Sequence, residues 1–194
     1  MKNVIKIKSL LMILVMIGVG FVSCNTSDDN QPSKIVKTSD VNGSYNGKTM
    51  IAQGKNKSEV NIPFVAKEKI ISFEAFPINE IVGTVVRDTK KRDEAIKKIG
   101  KVKYELDYVS VLNQSKTAVE LTFSPKELIF KIPVENNKFK EVKALIKNKQ
   151  KGIFTSKRSK VLKFELYVES ITVDGIAESK FESIQYNFPG STKK

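Results

Sequence analysis

The sequence predicts a mainly β (α+β) domain: an antiparallel β-sandwich or barrel-like sheet of about seven or eight strands with two or three short packing helices. Three observations carry that expectation. Val102, Tyr104, Leu106 and Tyr108 alternate with Lys103, Glu105 and Asp107, as in a strand with one face buried and one wet. Leu162, Phe164, Leu166 and Val168 repeat the pattern ahead of Asp174-Gly175, a pair suited to the positive φ of a tight hairpin turn. Helical spacing is confined to short stretches.

Taken in order, Ser44 to Gln53, Val60 to Ala66 and Lys69 to Phe76 read as short strands. After Pro77, the residues Ile78, Ile81, Val82, Val85 and Val86 fall on one helical face, with proline at the tolerated first turn. Asp93 to Ile99 predicts a second short helix ended by Gly100. The long strand from Val102 follows. Val119, Leu121 and Phe123, the turn Ser124-Pro125-Lys126-Glu127, and Leu128, Phe130, Ile132 and Val134 then predict a hairpin over residues 118–134. Phe139, Val142, Leu145 and Ile146, between Asn136-Asn137 and Gly152, predict a third amphipathic helix over residues 139–149. A closing hairpin turns at Asp174-Gly175 and returns through Ile184, Tyr186 and Phe188.

Composition removes whole classes of chemistry. The chain has 194 residues with Lys+Arg 34, Asp+Glu 21, one cysteine and no histidine. Without histidine there is no Ser/His or Cys/His catalytic arrangement and no histidine metal cage. One cysteine allows neither an intrachain disulfide nor a thiolate zinc cluster. No cofactor or metal is expected.

Lys2, Lys6 and Lys8 precede an apolar run from Leu10 to Val22 that ends at Cys24. The run is shorter than the roughly 20 residues a spanning helix needs, and residues 1–23 read as a signal peptide; the alternative is an uncleaved anchor. Phe21-Val22-Ser23-Cys24 resembles a bacterial lipobox, with Phe21 in place of the usual leucine. That resemblance implies a diacylglyceryl group on Cys24, cleavage before it and acylation of the new amine, since stable anchoring takes more than one chain. Residues 24–40 read as the lipidated cysteine and a polar, flexible tether, and 41–190 as a single domain. Asp28 and Asp29 resemble the acidic signal that sends lipoproteins of certain Gram-negative gut anaerobes to the outer face of the outer membrane; a periplasmic orientation is the alternative.

Three short motifs then point to a family. Val41-Asn42-Gly43-Ser44-Tyr45-Asn46-Gly47-Lys48 opens the domain with a Tyr-x-Gly strand, Phe76-Pro77-Ile78 leads into an apolar helix, and Val102-Lys103-Tyr104 opens a long strand. Together they resemble an uncharacterised domain-of-unknown-function family of small lipid-anchored envelope lipoproteins of such anaerobes. The resemblance covers nearly the whole mature chain and brings no catalytic residues with it. Tyr45 and Gly47 themselves read as structural, a half-buried filler and a point of close approach.

A non-enzymatic binding or structural module is therefore expected. Its candidate site is the basic stretch Lys138, Lys140, Lys143, Lys147, Lys149, Lys151, Lys157, Arg158, Lys160 and Lys163, against Glu141 alone. On a helix, many of these would share a wet face able to attract polyanions, such as an anionic glycan or lipopolysaccharide; nucleic acid is not expected as a partner in vivo. The bland alternative is a solvated face, favoured by lysine outnumbering arginine. Rival functions are a carboxylate-based glycoside hydrolase, for which Glu165 and Glu169 are a candidate pair although they lie opposite the apolar strand face, and a neutral-glycan-binding surface lipoprotein, disfavoured by five tyrosines and no tryptophan.

Overall fold

Two long strands near the C-terminus, β11 (Lys160–Val173) and β13 (Ile184–Lys193), organise the molecule. The computed structural model describes residues 35–134 and 138–194. β11 and β13 pair antiparallel, with Phe164 opposite Phe188 and Leu166 opposite Tyr186. Beside β13 runs β1 (Gly43–Asn46), then β4 (Phe64–Lys67), β5 (Ile70–Phe73), β6 (Tyr104–Leu112), β7 (Ala118–Pro125) and β10 (Gly152–Ser156), which returns to β11. The circuit is a closed eight-stranded antiparallel barrel.

Past the barrel, β11 and β13 continue as the centre of an open extension. There β2 (Lys48–Gln53) takes the place of β1 beside β13, and β9 (Phe139–Lys147) takes the place of β10 beside β11. β3 (Asn56–Asn61) and β8 (Leu128–Pro133) are its edges, and the two-residue β12 (Ile176–Ala177) pairs the end of β11. The passage from β1 to β2 falls at Gly47, where a Cβ would lie 2.8 Å from the Ser191 Cα. Only glycine tolerates so close an approach of two backbones. At the β11–β12 turn, Asp174 and Gly175 have φ of 50° and 81°, the left-handed pair expected from the sequence.

Aromatic rings fill the barrel. Phe64 stacks on Tyr45 at 5.1 Å, Phe164 stacks on Phe188 at 4.2 Å, and Phe73, Phe76 and Tyr104 continue the cluster. Tyr45 is buried, and its hydroxyl donates to the Val41 carbonyl. The 3-10 turn Thr38–Val41 closes this end of the barrel, burying Val41, while Val36 is buried with its N–H on the Lys116 carbonyl. Within the stretch expected as tether, Val36 thus packs against the barrel, while residues 37–39 are exposed.

The segment between β5 and β6 carries both helices, α1 (Asn79–Val85) and α2 (Thr89–Ile99). α1 buries Ile81 and Val82, part of the face expected after Pro77. α2 begins four residues earlier than expected because Asp88 caps it, its carboxylate accepting the Lys91 N–H at 2.9 Å. It ends at Gly100, as expected.

Two expectations are corrected. Residues 139–149 form no helix: Val142, Ala144 and Ile146 alternate inward on strand β9 while Phe139 is exposed. A short apolar run suits either period, and pairing with β8 on one side and β11 on the other decides for the strand. Nor do β7 and β8 form a hairpin. β7 has both edges taken by β6 and β10, so the chain turns a corner after Pro125, held by the Tyr104 hydroxyl on the Lys126 carbonyl, and β8 pairs β9 instead.

Candidate functional site

Because residues 139–147 are a strand, the basic stretch has no common helical face. On the outer side of the extension, Lys143 meets Glu141 at 3.3 Å and Lys147 meets Glu169 at 2.8 Å. Lys151 meets Glu120 at 2.8 Å, and the Lys149 ammonium lies 5.1 Å from the centre of the Tyr167 ring. Three of the ten basic residues of the expected polyanion face are therefore paired with carboxylates, and a fourth lies against an aromatic ring. Glu165 and Glu169 lie on that same outer side, with Glu169 engaged by Lys147, so they form no cleft pair.

The other lysines disperse to three places. Lys138 borders a groove beside β8, and Lys140 faces α2. Lys157 and Arg158 sit in the β10–β11 turn and Lys160 opens β11; like Lys163 further along β11, they make no ion pair among the described residues. Cys24, Asp28 and Asp29 lie outside the described residues.

The β10–β11 turn lies at the barrel end where the chain enters. The register brings there the β4–β5 turn with Lys67 and Lys69, the β6–β7 turn with Lys116, and the β13 terminus with Lys193 and Lys194. Lys37 enters beside them. Against these nine basic residues stand Asp40 and Glu68, and Glu68 pairs Lys67. The Lys193 ammonium donates to the Asp40 carbonyl, and burial together with neighbouring Lys160 lowers its pKa. No single segment of sequence carries this cluster; it is assembled from five separate parts of the chain.

A second feature escaped sequence reasoning. Between the β2–β3 turn, α1 and α2 lies a polar cleft of about 640 Å³, lined among others by Gln53, Asn56, Glu80, Arg87, Asp93 and Glu182. Gln53 donates to the Thr84 hydroxyl and the Glu182 carbonyl, and the Ser58 hydroxyl donates to Glu80 Oε1. Glu80 Oε2 is buried with no hydrogen-bond partner among the described residues. These residues lie up to 129 positions apart, so no local motif could announce them.

Among the described residues, no group of three or more His, Cys, Asp or Glu side chains is placed to hold a metal ion, and no helix is long and apolar enough to cross a membrane. The molecule is thus a small closed β-barrel with a solid aromatic interior, a basic end and an open, two-edged sheet extension. The chain belongs to the family described as Domain of unknown function (DUF4840), whose model matches residues 40–173. The match ends with the last residue of β11, leaving out β13, the strand that closes the barrel. No curated protein and no solved structure matches the chain.

Proposed function

We propose that the protein is a non-catalytic lipoprotein module of the outer membrane, anchored by acylated Cys24, displayed at the cell surface through Asp28 and Asp29, and engaging a phosphate-bearing anionic layer such as lipopolysaccharide through the basic end of its barrel. The observation that carries this reading is that the barrel end at which the chain enters gathers nine basic residues against two acidic ones. Ten residues lie between Cys24 and Ile35, so the two are at most about 40 Å apart. Each lysine or arginine brought near an anionic surface contributes ~1 kcal/mol, within a screening length of about 10 Å at 0.1 M salt. The basic end therefore docks down onto the layer that holds the anchor.

The segment Ser33–Lys194 forms one compact unit and suits the test. It should sediment with phosphatidylglycerol vesicles at low salt, stay free of phosphatidylcholine vesicles, and be released as salt rises. The triple variant Lys157→Glu, Arg158→Glu, Lys160→Glu should not sediment. Equal binding to both vesicle types would remove the proposal. Labelled palmitate should enter the full chain and not its Cys24→Ala variant.

The polar cleft favours a second reading, a glycan site with or without hydrolysis. It holds three carboxylates, Glu80, Asp93 and Glu182, beside the amide side chains of Gln53, Asn56 and Asn79, and no aromatic ring lines it. Calorimetry with neutral and acidic oligosaccharides, repeated on Glu80→Gln, separates it from the first.

A further inference from the structure

The extension exposes two strand edges of different character. β3 is short and polar, Asn-Lys-Ser-Glu-Val-Asn, and every side chain but Val60 is exposed, as in edges protected against pairing. β8 is Leu-Ile-Phe-Lys-Ile-Pro, pairs β9 on one side only, and borders a groove of about 670 Å³ with residues 98–103 on the far bank.

The register tells which backbone groups face that groove. Pro133 lies opposite Phe139, and the Val134 N–H donates to the Lys138 carbonyl at 2.9 Å. In an antiparallel ladder hydrogen-bonded pairs alternate, so Leu128, Phe130, Ile132 and Val134 direct their amides to β9. Ile129 and Lys131 direct both N–H and C=O away from it, into the groove. Pro133 has no N–H to offer and ends the available edge.

The groove's lining adds sign to this geometry. Ile99, Val102, Ile129 and Phe139 give it apolar walls, and Lys98, Lys101, Lys103, Lys131 and Lys138 all border it. No acidic residue lines it among the described residues, and of the five lysines only Lys103 has a carboxylate partner, Glu74 at 3.1 Å. We infer that the free edge of β8 is a docking site for an extended acidic peptide, which adds as a further strand, pairing with the Ile129 and Lys131 backbone while its alternate carboxylates meet the lysines. An alkyl chain could fill the walls but would leave those amides unpaired. A second copy of this chain would set lysine against lysine across the edge.

The probe is a fluorescein-labelled peptide Glu-Val-Glu-Ile-Glu-Val-Glu, titrated with Ser33–Lys194 and followed by anisotropy. The acidic peptide should bind. The version with lysine for every glutamate should bind at least tenfold more weakly, as should the acidic peptide N-methylated at alternate amides. Lys101→Glu combined with Lys131→Glu, both exposed positions, should weaken binding at least tenfold with an unchanged unfolding midpoint. Tight binding of the N-methylated peptide would show charge attraction without strand pairing and overturn the inference. So would binding of dodecanoate with no binding of the peptide, or a concentration-dependent dimer abolished by the same double variant.

Discussion

At Thr49 and at four of the five tyrosines, burial sets consequences that can be measured. Thr49 is fully buried on β2 and its hydroxyl has no hydrogen-bond partner among the described residues. An unpaired buried hydroxyl costs roughly 1–3 kcal/mol, and valine keeps the shape and the β-branch. Thr49→Val should therefore raise the stability of Ser33–Lys194 by about 1 kcal/mol, read as a higher urea midpoint at unchanged slope. Tyr45, Tyr104, Tyr108 and Tyr186 have pKa values raised above the ordinary 10.0, chiefly by burial. Below pH 10 both folded and unfolded states keep these protons, so stability does not depend on them. Above pH 10 the unfolded chain releases protons that the folded chain retains, and stability falls with pH. Lys193, whose pKa is lowered by burial, pulls the other way over its own window below 10.5, but it is one group against four. Urea midpoints should be flat with respect to the tyrosines up to about pH 9 and fall beyond 10, with most phenolate absorbance appearing only on unfolding.

Among the elements, β9 shows why identical residues can mean different things. Read at helical spacing, Phe139, Val142, Leu145 and Ile146 form a stripe; in the sheet, Val142, Ala144 and Ile146 face the core, and Lys143 and Lys147 face out beside Glu141 and Glu169. The consequence separates two sets of lysines. Lys143→Glu, Lys147→Glu and Lys151→Glu together would place like charges beside Glu141, Glu169 and Glu120. That triple variant should lose stability modestly, because exposed pairs contribute at most about 1 kcal/mol each, and should still bind anionic vesicles. Reversing Lys157, Arg158 and Lys160 should do the opposite, removing vesicle binding with the midpoint unchanged. Sedimentation and urea unfolding on both variants decide it.

At the scale of the whole domain, stability rests on pairing its first strand with its last. β1 meets β13 through Tyr45 opposite Lys193 and Asn46 opposite Thr192, and β13 also borders β11 and β2. A chain stopped after Val173, where the family match ends, lacks the partner of all three strands. It should be insoluble or bind hydrophobic dyes without a cooperative transition, whereas Ser33–Lys194 should unfold in one step. Starting instead at Gly43 removes Val36 and Val41, both buried at the barrel end, and should lower stability by about 3–6 kcal/mol, at 1.5–3 kcal/mol for each valine.

The sequence by itself determined what depends on near neighbours. Alternation marked β6, β11 and β13, Asp174-Gly175 marked a tight turn as a pair that accepts left-handed φ values, Gly100 marked the end of α2, and the Tyr-x-Gly opening pointed to an uncharacterised family. Asp88, the cap that lengthens α2, is a signal of the same local kind. Only the tertiary structure decided what depends on distant partners: that 139–147 is a strand, that β7 and β8 part at Pro125, which lysines meet carboxylates, and that the basic end and the polar cleft exist at all. The reason is physical. Periodicity reports which side chains of a segment share a face, but strand pairing is a contract between segments far apart in the chain, and the charge of a surface follows from which segments it joins.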